Sequence, residues 1–501
     1  MTLLDNEYDL LVIGGGVNGS GIAADAAGRG LKVLLCEQGD LASATSSSSS
    51  KLIHGGLRYL EHYQFRLVRE ALLEREVLLK KAPHIIWPLS FKLPHQPHLR
   101  PYWLIRLGLF IYDHLAQRVT LPASKSIKFA SNSILNAAIG RGFEYADGWV
   151  DDARLVILNA LAAHEKGATI ATRTRCINAQ RTTDNWQVTL EQQDSKQQYQ
   201  IKAKGIVNAA GPWVASLFEQ VLTQPTPHAI RLVKGSHIVL PRIHNEPQAY
   251  ILQNQDQRII FVIPYEDDFS LIGTTDEEYS GHIAEVKISQ QEIDYLVGIT
   301  NQYFKKQISS ADIVHSYSGV RPLLDDKSTD AQAVTRDYKL LLSSNNQQAP
   351  LLSVFGGKLT TYRKLAENAV NKLAEFYPQM GPAWTKNASL PGGDFNTVTE
   401  LQQQLQTQYN WLPALLLKRF LRSYGTYTHA LLINANSVKD LGVHFGHGLY
   451  AQEVNYLIDT EWARCSDDIL WRRTKLGLRF NAAQVAVLRQ YIQQYSGAKQ
   501  T

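Results

Sequence analysis

Tyr8-Asp-Leu-Leu-Val-Ile-Gly-Gly-Gly-Val-Asn-Gly-Ser-Gly-Ile-Ala23 is the stretch that decides the fold. Its apolar run stops at glycine and restarts as small residues with helical character, which predicts strand, tight turn and helix in that order. Gly14, Gly16 and Gly19 fill the GxGxxG pattern, and each has its own steric reason. The first makes the turn, the second lets backbone approach a pyrophosphate, and the third permits close helix–strand packing. A pyrophosphate would rest on the N-terminus of a helix over 18–30, beginning at Asn18, where free N–H groups and the helix dipole favour negative charge. A second strand over 32–36 then runs into Glu37, twenty-one residues after Gly16. At that spacing a carboxylate accepts hydrogen bonds from an adenosine ribose. The first forty residues therefore predict a dinucleotide site.

Working outward, 501 residues with 44% apolar content supply two or three cores. A net charge of +5 suits anionic substrates or an anionic membrane surface and is too small to argue for nucleic acid. Cys36, Cys176 and Cys465 are few and scattered, so neither a disulfide framework nor a metal site is expected. Acids occupy the first nine residues where an export signal would carry basic ones, which predicts a chain that is not exported. The apolar stretch 102–112 is interrupted by Arg106 and is too short to span a bilayer, so any membrane contact is expected to be peripheral.

The segment Asp40-Leu-Ala-Ser-Ala-Thr-Ser-Ser-Ser-Ser-Ser-Lys-Leu-Ile-His-Gly-Gly-Leu-Arg-Tyr59 begins like a serine linker. It continues with a histidine, two glycines and two cations among apolar residues, which linkers do not. Serine hydroxyls and amides are what a phosphate-contacting loop offers. A helix follows over 65–81, then a mixed segment 84–118 ending in an amphipathic helix, then a helix over 150–166. Strands near Thr169, Cys176, Trp186 and Tyr199 predict a meander, and Gly205-Ile-Val-Asn-Ala-Ala-Gly211 reads as a return to the parallel sheet. Strand patterns over 232–240, 250–253, 258–264 and 270–274, with a helix over 290–305, predict an inserted antiparallel domain. Tyr317-Ser-Gly-Val-Arg-Pro-Leu323 and Phe355-Gly-Gly-Lys-Leu-Thr-Thr-Tyr-Arg363 bring back strand, glycine and helix, and the last hundred residues read as a helical module.

Together the opening GxGxxG, the Val207-Asn-Ala-Ala-Gly211 strand and the late glycine turn resemble the FAD domain of glutathione-reductase-like flavoenzymes. Residues 44–60 and 355–363 are more specific: they are similar to the signature stretches of respiratory, FAD-dependent glycerol-3-phosphate dehydrogenases, and the likeness covers nearly the whole chain. The resemblance implies an α/β architecture: a discontinuous FAD domain (1–65, 150–230 and 315–385), an inserted antiparallel-sheet, substrate-binding and membrane-facing domain (66–149 and 231–314), and a C-terminal helical domain (388–501). It implies non-covalent FAD, oxidation of glycerol 3-phosphate, electron delivery to ubiquinone or menaquinone, and a homodimer on the cytoplasmic side of the inner membrane. The rival readings are an oxidase of the same architecture that uses oxygen and a non-catalytic, membrane-peripheral FAD protein.

On this reading the cofactor contacts are Gly14, Gly16, Asn18, Gly19, Glu37, Thr45, Ser46, Ser50, Lys51, Leu52, Gly55, Ala210, Gly211, Gly356, Lys358, Leu359 and Thr360. Alcohol oxidation needs a base for the hydroxyl proton and cations to fix the phosphate. His54 is the favoured base, its ordinary pKa lying near working pH, and His237 in Lys234-Gly-Ser-His is the alternative. Arg58, Tyr59, Arg321, Arg336 and Lys358 are the expected substrate contacts, arginine forks matching phosphate oxygens bidentately. The alternative role for Lys358 is to offset negative charge on reduced flavin. For the amphipathic helix, Tyr102, Trp103 and Tyr112 suit the headgroup level, and a face of Leu104, Leu107, Ile111 and Leu115 is expected to enter lipid. Arg100, Arg106, Arg118, Lys125 and Lys128 would meet anionic headgroups. The alternative is that this face packs into the protein core.

Overall fold

The computed structural model describes residues 4–256, 258–324, 337–344 and 348–498. Strand Glu7–Ile13 lies at the centre of the first sheet, flanked in parallel by Val33–Cys36 on one side and Gln198–Asn208 on the other. Parallel strands Thr169–Ala171 and Leu351–Phe355 extend the sheet outward, and Lys339–Ser343 closes one end antiparallel. Leu10, Leu11 and Val12 are fully buried because both faces of this sheet are covered, as their continuous apolar run requires. Helices Val17–Gly28, Asp152–Glu165 and Tyr362–Lys372 cover one face. The meander Thr174–Arg181 and Trp186–Gln192 covers the other, with helix Val214–Gln220. The stretches expected as a meander strand and a return strand are one element, Gln198–Asn208. Its first half pairs antiparallel with 186–192 while the strand as a whole runs parallel to Glu7–Ile13.

Among the described residues the second sheet has ten strands. The expected run from 232 to 274 is present as Ile230–Pro241, Ala249–Gln253, Ile259–Tyr265 and Phe269–Gly273. Two long strands unanticipated by the sequence pattern, Ile86–Pro94 and Arg141–Val150, pair antiparallel over nine residues and join this sheet through Ala249–Gln253. Leu52–Ile53 and His315–Leu324 also belong to it, pairing with 148–149 and 230–239. The polypeptide thus passes from the first sheet to the second within the 44–60 stretch, between Val33–Cys36 and Leu52–Ile53.

Helix Tyr102–His114 packs Leu109 and Tyr112 inward, with Tyr102, Ile105 and Leu115 partly buried against the same core. Its outer stripe is Trp103, Leu107 and Phe110, which are 67%, 46% and 51% exposed. The exposed face is therefore rotated from the expected one: of Leu104, Leu107, Ile111 and Leu115, only Leu107 belongs to the exposed stripe. Among the described residues no helix is long and apolar enough to cross a membrane.

Helices Val398–Gln408, Ala414–Tyr424, Ala451–Thr460 and Ala482–Ala498 build the C-terminal core. Charge joins this module to the first sheet. Arg473 reaches both oxygens of Asp40, Arg154 binds Glu461, Arg173 binds Asp468 at 2.8 Å, and Lys475 binds Asp151 at 2.8 Å. Asp40 and Arg473 are 1% and 0% exposed in their side chains, and Arg472 Nε also donates to Asp40 at 2.6 Å, so two guanidinium groups compensate this carboxylate in a low-dielectric setting.

Candidate active site

The glycine turn has the shape its spacing predicts. Gly14 has φ +113°, and a Cβ there would lie 2.5 Å from the Ala209 carbonyl oxygen. A Cβ on Gly19 would collide with the Gly14 carbonyl oxygen. Gly16 is the N-cap of helix Val17–Gly28, which has no side-chain cap and no acid in its first turn. The Val17 N–H donates to Ser46 Oγ at 3.0 Å, bringing the serine loop over the helix end. The next amides along have no intrahelical acceptor. Glu37 accepts the Gly15 N–H at 2.6 Å and the Gly39 N–H at 2.7 Å, one on each oxygen. Burial raises its pKa despite these bonds. Its immediate work is to fix the glycine turn, and its remaining lone pairs are those a ribose would use.

Asn18 ties this turn to the one at the far end of the sequence. Its Nδ2 donates to the Gly356 carbonyl at 3.2 Å, while its buried Oδ1 has no hydrogen-bond partner. Gly356 and Gly357 both have positive φ, and a Cβ on Gly357 would lie 2.9 Å from Asn18 Nδ2. Gly211, with φ +55°, opens the turn after Gln198–Asn208, and the Ala210 N–H donates to Asn208 Oδ1 at 3.3 Å. A buried amide oxygen without a donor, an uncapped helix end and a cradle walled by glycines fit a dinucleotide pyrophosphate.

The 45–60 loop is pinned at several points. Thr45 Oγ1 donates to the Val320 carbonyl at 2.6 Å, next to Arg321. Ser49 Oγ and Lys51 Nζ converge on Asp152, at 2.7 and 2.8 Å. Lys51 is 2% exposed and its Nζ also reaches the Ser47 carbonyl, so what this lysine does directly is hold the serine loop. Ser50 Oγ lies 2.9 Å from His237 Nε2. Leu52 pairs with Trp149 in the second sheet. Thr360 Oγ1 accepts the His54 N–H at 3.2 Å and lies 3.3 Å from its carbonyl, which joins the two signature stretches at the backbone. The Gly55 N–H donates to Tyr112 Oη at 2.9 Å, and that hydroxyl is within 3.0 Å of both oxygens of Asp147, itself bound to Arg75 at 2.6 Å. Arg58 and Tyr59 lie half-buried on the turn Leu57–His62, and Lys358 Nζ stands 3.8 Å from the Tyr59 ring centroid. Leu359 and Thr360 begin the turn leading into helix Tyr362–Lys372.

Arg321 projects from strand His315–Leu324 into a clamp: one guanidinium nitrogen is paired with Asp276 and the other donates to Thr274 Oγ1 at 2.9 Å. His237, on the neighbouring strand, is 1% exposed and stacks on Tyr317 with ring centroids 4.9 Å apart. Burial holds its pKa well below the ordinary imidazole value, and the charges of Arg321 and Lys51 push the same way, so the ring is neutral at physiological pH. Its Nδ1 is buried without a hydrogen-bond partner. Arg336 lies outside the described residues. The clamp residues Thr274 and Asp276, and Asp147 and Asp152 behind the loop, were not read as site residues in the sequence, and Tyr112, expected at the headgroup level, is instead buried behind the loop at 3% exposure. The clamp's only signal was Gly273-Thr-Thr-Asp276, polar residues crowded at a strand end.

A family model for FAD-dependent oxidoreductases matches residues 9–363, and one for the C-terminal domain of alpha-glycerophosphate oxidase matches 383–497. The glycerol-3-phosphate dehydrogenase of Pseudomonas aeruginosa is 58% identical, covering 97% of this chain and 95% of that protein. The aerobic glycerol-3-phosphate dehydrogenase of Escherichia coli is 57% identical, covering 97% and 98%. Among solved structures, the glycerol-3-phosphate dehydrogenase of Bacillus halodurans complexed with FAD matches with a TM-score of 0.77 and 26% identity, covering 99% of this chain and 91% of that one. A glycine cradle that fits the cofactor and relatives matched from end to end lead to one assignment: the chain belongs to the family of FAD-dependent glycerol-3-phosphate dehydrogenases.

Proposed function

We propose that the chain oxidises sn-glycerol 3-phosphate at C2 to dihydroxyacetone phosphate and passes the electrons to a membrane quinone while docked on an anionic bilayer. The observation that carries this reading is the meeting of three cation-bearing segments on one loop. Residues 45–59 touch 356–360 through His54 with Thr360 and Tyr59 with Lys358, and touch the Arg321 strand through Thr45. FAD, when bound, supplies the acceptor for the substrate's two electrons. Gly14, Gly16, Asn18, Gly19, Glu37, Ser46 and Gly356 are the residues to hold it. Arg321, Arg58 and Lys358 bind the phosphate, with the Tyr59 ring beneath the lysine; fixing the phosphate fixes the direction of the C2 hydrogen. His54 takes the C2 hydroxyl proton on its imidazole. His237 is the alternative acceptor, through its buried Nδ1. Anaerobic addition of glycerol 3-phosphate should bleach the bound flavin, whereas related polyol phosphates and amino acids should do so more slowly or not at all. A flavin left oxidised by glycerol 3-phosphate would overturn the reading, and turnover with oxygen but not quinone would favour the oxidase.

The membrane part of the proposal is supported by the exposed Trp103, Leu107 and Phe110 stripe, with Tyr63 and Val119 exposed nearby at 83% and 78%. A quinone is confined to lipid, so the protein that reduces it must sit at the interface, and an in-plane helix with an aromatic outer stripe suits that position. The homodimer is carried forward on the family resemblance alone.

A further inference from the structure

Behind the Arg321 clamp lies a buried polar cluster centred on Glu292, which is 1% exposed. Glu292 is the third residue of helix Gln290–Tyr303 and completes its capping box, its Oε2 accepting the Ser289 N–H at 2.8 Å while Ser289 Oγ accepts the Glu292 N–H at 3.2 Å. A capping glutamate needs no more than this. Here the carboxylate also accepts from Thr275 Oγ1 at 2.7 Å, Ser236 Oγ at 2.8 Å and Lys234 Nζ at 2.8 Å. Thr275 Oγ1 in turn accepts the Ser236 N–H at 2.9 Å, and Ser236 Oγ lies 2.8 Å from Ser318 Oγ on the strand that carries Arg321. Burial opposes ionisation of Glu292, and the bonds from Lys234, Ser289, Thr275 and Ser236 outweigh it, leaving its carboxyl below the usual range.

Thr275 stands between the two residues that grip Arg321: the Thr274 hydroxyl oxygen accepts from one guanidinium nitrogen and Asp276 pairs with the other. Packing on the far side is equally close, since a Cβ on Gly235 would lie 2.5 Å from Arg321 Nη2 and 2.7 Å from Thr274 Oγ1. A shift of Thr275 therefore moves both arms of the clamp with nowhere for the guanidinium to relax. We propose that Glu292 is a positioning residue for the substrate phosphate: by holding Thr275 it sets the direction in which Arg321 presents its guanidinium. This rests on the reading of Arg321 as a phosphate contact. Glu292 touches neither substrate nor cofactor, and its effect belongs to substrate affinity more than to the chemical step.

The test measures anaerobic flavin reduction by glycerol 3-phosphate, competitive inhibition by inorganic phosphate, FAD content and melting temperature in FAD-loaded variants. In Glu292→Gln one carboxylate oxygen becomes an amide nitrogen that cannot accept, so either the bonds from Thr275 and Ser236 or those from Lys234 and the Ser289 N–H are lost and Thr275 is no longer held in place. The expected result is normal FAD content, a KM raised about tenfold, phosphate inhibition weakened in proportion, and a limiting rate within about threefold of wild type. Thr275→Val, which deletes the hydroxyl, should reproduce this pattern and Thr275→Ser should restore wild-type values; this pair decides the matter should Glu292→Gln fail to fold. A lowered melting temperature with wild-type KM and phosphate inhibition in Thr275→Val would overturn the proposal by reducing the cluster to scaffold. Arg321→Ala separates the two layers: raised KM there beside wild-type values in Thr275→Val removes Glu292 alone, whereas wild-type KM in Arg321→Ala removes the phosphate reading itself.

Discussion

Gly16 and the two histidines carry the most direct tests at the scale of single residues. Among the described residues only Ser46 Oγ, at 3.1 Å, would meet a Cβ on Gly16, so the free protein tolerates a side chain there better than the cofactor does. Gly16→Val is therefore expected to fold with a near-normal melting temperature yet purify largely without flavin, and a normal flavin-to-protein absorbance ratio would contradict the cradle. For the base, His54→Ala should lower the rate of flavin reduction by about 10²- to 10⁴-fold with smaller damage to KM. His237 is neutral through the physiological range, held well below the usual imidazole pKa by burial. If it were the proton acceptor, the acid limb of the rate profile would lie well below pH 6.5, so a limb there, together with a wild-type-like rate in His54→Ala, would transfer the role to His237.

At the scale of elements, the parallel core was legible because a strand buried on both faces writes itself as an unbroken apolar run, as Leu10 to Ile13 does. The helix at Phe65–Lys81 and the four strands between 230 and 273 were legible from periodicity in the same way. Ile86–Pro94 was not, because Pro88 and Pro94 argue against a strand. Pro88 is tolerated because the pairing with 249–250 involves only Phe91 and Lys92, leaving the strand one-sided at position 88. Arg141–Val150 hides behind Gly142, which has no room for a Cβ beside the Leu93 carbonyl, and Asp147, a buried acid that Arg75 and Tyr112 compensate. The Arg321 clamp is invisible locally, since Thr274 and Asp276 are forty-seven and forty-five residues away in sequence. In helix Tyr102–His114 the apolar residues surround most of the circumference, so periodicity alone misplaces the outer face. Replacing Trp103, Leu107 and Phe110 together with Ser should abolish sedimentation with anionic liposomes at an unchanged melting temperature. Retained binding would place the membrane contact elsewhere, and a fall in melting temperature would mark the stripe as structural.

At the scale of the whole molecule, the C-terminal module is fastened to the cofactor domain by buried charge, and that makes the join sensitive to single deletions. Arg473→Ala removes two of the three guanidinium hydrogen bonds to buried Asp40 and leaves the one from Arg472, at an expected cost of about 3 kcal/mol, measurable as a lower urea midpoint. A midpoint within error of wild type would mean that Arg472 alone compensates Asp40. Buried imidazoles impose a further dependence. His84, His237 and His244 are each buried, and burial holds His84 at about 3, His244 at about 4 and His237 well below 6.5. Depressed folded-state values mean that their contribution is complete above pH 6.5, the unfolded value, and drains away as pH falls toward the folded ones. The slope is about 1.4 kcal/mol per imidazole per pH unit, so the melting temperature should be lower at pH 5 than at pH 7.5, before most carboxylates titrate. A flat profile over that window would show these rings to be solvated. The order of strands in the first sheet also sets a timetable for synthesis. Glu7–Ile13 leaves the ribosome first, but its neighbour Gln198–Asn208 follows nearly two hundred residues later, and that neighbour's own outer partner, Leu351–Phe355, later still. At ordinary elongation rates the wait is on the order of tens of seconds. Through that interval Glu7–Ile13 can pair along one edge only, with Val33–Cys36, so its other edge stays open and the nascent protein depends on being sheltered until its last parallel strand has been made.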